Sequence, residues 1–150
     1  MKKTAVFLCV FLAAASAGAD FRKLLPLLPD IGGYSASPAE GSTLRLPRGN
    51  VDTASRRYSS ASASLILSVY SGADVKALEE HGIKAGNITK TERGNGYNIL
   101  YTGSGYKKGY ITLTADGSQL TVVLEYKGIS PEQAAETARS LKPDSFFKKD

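Results

Sequence analysis

Residues 96–127, GYNILYTGSGYKKGYITLTADGSQLTVVLEYK, restrict what this chain can fold into more than any other stretch. Tyr97, Ile99 and Tyr101 alternate with Asn98, Leu100 and Thr102, the period of two that a pleated strand imposes. Tyr110 to Thr114 and Leu120 to Tyr126 follow, rich in β-branched and aromatic residues. Between them Asp116-Gly117 supplies the left-handed-tolerant pair that a tight hairpin demands. The pattern predicts a three-stranded antiparallel meander with Tyr97, Ile99, Ile111, Leu113, Leu120, Val122 and Leu124 turned inward.

The rest of the chain has to complete that sheet and cover one of its faces. Residues 54–59 and 63–70 read as two further strands, a hairpin turning near Ser59 to Ser62, with Leu65, Leu67 and Val69 inward. Thr43 to Leu46 alternates as a short edge strand that Pro47 ends, because proline has no ladder donor. Residues 87–93 give one more polar strand, turned back into the meander by Gly94-Asn95-Gly96. Two short helices are expected. One spans 74–81, with Asp74 in its first turn and Gly82 as the left-handed stop. The other spans 131–141, where Ser130 caps, Pro131 takes the first helical position and Gln133 reaches back. Its face of Ala134, Ala135, Ala138 and Leu141 suits close approach to a sheet. Near the start, Phe21, Leu24, Leu25 and Leu28 have helical spacing, but Pro26 and Pro29 permit only a short helical turn. The expected fold is α+β: an antiparallel sheet of about six strands, ending in the meander, with two short helices on one face. Residues 20–53 form a docking segment and loop, and 54–150 carry the body of one domain.

The first 19 residues read as a secretory signal peptide. Met1-Lys2-Lys3 is a basic start, Thr4 to Ala15 is apolar, and Ala15-Ser16-Ala17 and Ala17-Gly18-Ala19 both fit a small-residue cleavage site. The apolar run is shorter than the ~20 residues a bilayer-crossing helix needs, so no transmembrane segment is expected after processing. The single cysteine, Cys9, lies inside that leader. The exported chain then carries no thiol, and with it no disulfide framework, thiolate nucleophile or cysteine-ligated metal. Removing Lys2 and Lys3 from the 19 basic residues leaves 17 against 14 acidic ones. A balance that mild speaks against nucleic acid as the partner. The expected location is periplasmic or extracellular.

Motifs for catalysis are weak. The one histidine, His81, ends the first expected helix, where its charge suits the negative helix terminus, and neither G-x-S-x-G nor H-E-x-x-H occurs. No acidic run has calcium-loop spacing, so no metal site and no cofactor are expected. The glycines of Gly103-Ser-Gly105 join two strands without opening a helix, which fits a hairpin loop better than a phosphate cradle. Two surface groups stand out. Tyr101, Tyr106, Lys107, Lys108 and Tyr110 crowd one hairpin end, the aromatic and cationic mixture of recognition surfaces. A plain solvated hairpin tip explains them too, since strand-end lysines block edge pairing. Arg45, Arg48, Arg56 and Arg57 form a second group suited to a carboxylate, phosphate or anionic headgroup, with scattered surface arginine as the competing account.

The segment LLPDIGGYSASPAEGS at 27–42, with ASRRYSS at 54–60, resembles a group of small exported bacterial proteins of unassigned function. The shared opening is Leu27-Leu28-Pro29, Gly33-Tyr34 and Pro38-Ala39-Glu40-Gly41, about a fifth of the chain. More loosely, the order of elements is similar to the α-β-α sandwich of the PsbP-like extrinsic photosystem proteins. Neither resemblance implies catalytic residues; the first implies a periplasmic domain. The expected function is a non-enzymatic module binding a protein partner or envelope component through the tyrosine and lysine face. Two alternatives stand beside it, a carboxylate-dependent hydrolase and a carrier of a small apolar ligand.

Overall fold

The computed structural model describes residues 20–47, 49–72, 88–94, 96–105 and 107–148. The expected leader at 1–19, with Cys9, and the expected helix at 74–81, with His81 and Gly82, lie outside them. In chain order the strands are β1 (Ser35–Ala36), β2 (Glu40–Leu46), β3 (Gly49–Ser59), β4 (Ser64–Ser71), β5 (Ile88–Arg93), β6 (Asn98–Gly105), β7 (Lys108–Thr114) and β8 (Leu120–Lys127). A ten-residue helix, Pro131–Ser140, follows. All eight strands join one antiparallel sheet in the order β1-β3-β4-β8-β7-β6-β5, with β2 sharing the outer edge of β3 with β1.

Alternation decides which residues meet. On β4, Leu65, Leu67 and Val69 are buried while Ile66, Ser68 and Tyr70 are half-buried on the other face. Register then lines up cross-strand rows on the core face. Arg56, Leu67, Leu124, Ile111 and Tyr101 make one, and Ala54, Val69, Val122, Leu113 and Ile99 the next. Each large apolar side chain sealed here contributes roughly 1.5–3 kcal/mol, so the central strands β4, β8 and β7 hold most of the hydrophobic stabilisation.

The helix covers this face with alanines. Ala134 and Ala138 are fully buried in the same cluster as Leu67 and Ile111. Ser130 accepts from the Gln133 amide while the Gln133 side chain accepts from the Ser130 amide, the reciprocal cap its sequence announces. Leu24 and Leu28, which cap two short helical turns at Phe21–Lys23 and Leu25–Leu27, complete the cover with Ile31 beyond them. Arg56 pins that segment. Its guanidinium donates to the carbonyls of Ser37 (2.8 Å) and Leu28 (3.1 Å) and pairs with Asp30 (2.9 Å), while the Tyr58 hydroxyl donates to the Pro29 carbonyl (2.7 Å). On the opposite face Thr102 and Thr112 are buried with hydroxyls that have no hydrogen-bond partner among the described residues.

The sheet is larger than expected. Eight strands replace about six: β1 forms inside the segment read as loop, while β2 and β3 begin earlier than the expected short edge strand at Thr43 and the expected strand at Ala54. Of the residues expected to be buried, Tyr97 and Leu120 are half-buried at strand ends, and the other five are sealed. The β7–β8 connection is also looser than a two-residue hairpin. Asp116-Gly117 does form a turn, closed by the Ser118 amide donating to the Ala115 carbonyl (3.1 Å), with Gly117 at φ +74°. Ladder pairing begins only at Leu113 opposite Val122. No described helix is long and apolar enough to cross a membrane.

Candidate functional site

The hairpin residues singled out as one surface divide between the two faces of the sheet. Tyr101 lies opposite Ile111 and so belongs to the core face, while Tyr110, opposite Thr102, belongs to the other. Tyr106 lies outside the described residues. Lys107 and Lys108 are exposed at the start of β7.

Tyr101 takes part in a polar clasp at the β5 edge. Its hydroxyl donates to Glu92 Oε2 (3.0 Å), and the Arg139 guanidinium from the helix donates to the same oxygen (2.7 Å) and to the Tyr101 hydroxyl (3.3 Å). Lys90 pairs with Glu92 Oε1 and stands 5.3 Å from the Tyr101 ring centroid. Hydrogen bonds from Lys90, Arg139 and Tyr101 pull the Glu92 carboxyl down to about 2. Burial, with the hydrogen bond donated to Glu92, pushes the Tyr101 hydroxyl up to about 12. Such a pair neither accepts nor releases a proton near neutral pH, so its chemistry is that of a strut between helix and sheet.

A different group forms where the ends of β3, β4, β8 and β7 meet. Ser59 lies opposite Ser64, Ser64 opposite Lys127, and Lys127 opposite Lys108, so one row crosses four strands. All four residues are exposed. Lys107 is fixed beside them by its carbonyl, which accepts from the Gly128 amide (2.7 Å). Gly109 lies opposite Tyr126 on the core face, and only glycine fits there. A Cβ would stand 2.5 Å from the Thr102 carbonyl oxygen and 2.6 Å from the Tyr126 hydroxyl. This holds the Lys107-Lys108 tip against β8.

The electrostatics of the row are one-sided. Among the described residues none of Lys107, Lys108 and Lys127 has an ion-pair partner. Like charges placed opposite each other across an antiparallel ladder destabilise it. A carboxylate on this face, Glu125, lies one row further in, opposite Tyr110 and Ile66. Burial, and after it Glu125, raises the Tyr110 hydroxyl above its ordinary value.

The arginine group also splits. Arg56 is on the core face and spent on the N-terminal segment, whereas its neighbour Arg57 is exposed on the opposite face beside a shallow groove of about 500 Å³ lined by Ser35, Ser59, Ser64 and Ile66. Arg45 is exposed on β2, and Arg48 lies outside the described residues. No three His, Cys, Asp or Glu side chains gather into a metal-holding group among the described residues. An open groove of about 640 Å³ runs between Pro26–Gly32 and Ser140–Phe146, outside the packed space between sheet and helix. Sequence reasoning missed Lys127, whose place beside Lys108 depends on strand register, and missed the partners of Tyr101. The i, i+2 pair of Lys90 and Glu92 on one strand face was the available signal for the second. Comparison with protein-family models, with curated proteins and with solved structures finds no match for this chain.

Proposed function

We propose that the chain is an exported, non-enzymatic α+β module that binds an anionic envelope component through the end of the sheet bearing Lys107, Lys108 and Lys127. The observation that carries this reading is the cross-strand pair Lys108 and Lys127, which faces solvent with no acidic partner among the described residues. A stability-driven sequence places an acid opposite a lysine, and a departure without local compensation marks a surface kept for another molecule. Export is supported by the basic start, apolar run and small-residue cleavage sites of residues 1–19.

The hydrolase alternative loses ground because the described carboxylate with the most displaced protonation, Glu92, is held ionised by two cations instead of being poised near neutrality. A carrier of an apolar ligand needs an enclosed apolar cavity. The space between sheet and helix is filled by Leu67, Val69, Ile111, Ala134 and Ala138.

Site-directed photo-cross-linking in the export compartment tests the reading. A photoreactive residue replacing Ser64 is expected to capture an envelope component, and one replacing Ser42 on β2 is not. Intact mass of the recovered protein should show loss of residues 1–17 or 1–19. Equal capture from both positions, no capture from either, or a retained Met1 overturns the proposal.

A further inference from the structure

Resting on that reading, we infer that the component is a phosphate-bearing lipid surface, docked by the row of Ser59, Ser64, Lys127 and Lys108 with Lys107 at its flank. The row offers hydroxyl and ammonium donors and holds no carboxylate. Hydroxyl and ammonium groups project from adjacent strands at intervals of about 4.8 Å, and a lysine ammonium binds phosphate as a compact point charge.

Its shape argues for a surface over a small anion. The groove beside Arg57 takes in Ser59 and Ser64 of the row, but Lys107, Lys108 and Lys127 line neither that groove nor the one along the N-terminal segment. Exposed cations outside a cavity gain little from a single ion but add up against an extended anionic face. Its composition argues against a protein partner. Protein interfaces centre on aromatic and apolar anchors, yet the row carries only serine and lysine. Leu44, the exposed large hydrophobic residue among those described, sits away on β2.

The test is cosedimentation of the protein recovered after export with phosphatidylglycerol–phosphatidylcholine vesicles, against phosphatidylcholine alone, at low ionic strength. Partitioning onto the anionic vesicles only is expected. Each lysine near such a surface is worth about fivefold in partitioning, so K107S/K108S/K127S should lower it about a hundredfold without lowering Tm. The charge-matched triple K23S/R93S/K148S should lower it far less. Equal binding to neutral vesicles, or equal loss in both triples, overturns the inference. Chemical-shift changes at Lys108 and Lys127 that saturate with inorganic phosphate, without vesicle binding, would assign the row to a free anion and also overturn it. If vesicles fail but the Ser64 cross-link to a protein persists and is lost in the first triple, the lipid inference falls and the binding module stands. If that cross-link is absent as well, both fall.

Discussion

Replacing Arg56 by methionine should cost about 3 kcal/mol, and the reasoning decides which of its contacts matter. Methionine keeps most of the apolar stem and removes the fork. The ion pair with Asp30 joins an arginine side chain 21% exposed to a carboxylate 87% exposed, and such a pair contributes at most ~1 kcal/mol. The larger loss is at the Leu28 and Ser37 carbonyls, which accept from the guanidinium in part-buried positions. A hydrogen bond from a charged donor is worth roughly 1.5–3 kcal/mol, of which water recovers a share where it can enter. The expected net of about 3 kcal/mol lowers Tm by about 12 °C at roughly 4 °C per kcal/mol for a domain of this size. Asp30→Asn should stay within about 0.5 kcal/mol. Arg56→Lys should fall between, because an ammonium cannot reach both carbonyls in the planar geometry of the fork. Urea and thermal unfolding of the four proteins provide the comparison. If Asp30→Asn costs as much as Arg56→Met, the ion pair is the real tie and the carbonyl argument is wrong. If Arg56→Met melts like the parent, the N-terminal segment is not held from β3 at all.

Two further outcomes are expected. Val122→Asp puts a charge at a fully buried position on the central strand β8 and should cost well over ~2 kcal/mol by equilibrium unfolding; a mutant as stable as the parent would mean the inward face is misassigned. Glu92 has its folded pKa lowered from 4.5 to about 2, so its stabilising contribution is complete above the unfolded value and fades as pH falls through the folded one. Melting curves between pH 6 and pH 2 should therefore show the parent losing more stability than Glu92→Gln, and parallel losses would refute the clasp.

The fold was legible where hydrophobic period and end signals agree. On β4 the alternation of Leu65, Leu67 and Val69, and at the helix the sequence Ser130-Pro131-Glu132-Gln133, each specify one local answer, and packing follows it. The N-terminal strands were harder to read because their burial pattern is nearly flat. On β2 the residues Glu40 to Leu46 are all exposed or half-buried, so pairing there is sustained by the ladder with β3 and not by a hydrophobic face. Composition rich in serine, glycine and proline reads as loop, and the long partner strand β3 overrides it. The clasp was invisible for another reason. Glu92 and Arg139 are 47 residues apart, and only the tertiary approach of the helix to the sheet edge joins them.

The candidate site shows how a register too fine for periodicity to fix can determine a surface. A two-residue loop at Asp116-Gly117 pairs Ala115 with Ser118 and, counting outward along the ladder, sets Lys108 opposite Glu125. In the structure Ser118 and Gln119 are added on the β8 side after the turn, so Leu113 meets Val122 and Lys108 meets Lys127. A shift of two keeps every side chain on its own face. The alternation of Ile111, Leu113, Val122 and Leu124 fits either register, so periodicity does not choose between them, although the close fit of Gly109 against Tyr126 belongs to the observed one. The outer face is not indifferent. One register neutralises Lys108 with Glu125, and the other puts two lysines side by side and leaves Glu125 to Tyr110. Charge pairing alone favours the first. That the chain adopts the second, with two extra residues in the turn and two lysines side by side, is the physical reason behind the proposal that this end of the sheet meets another molecule.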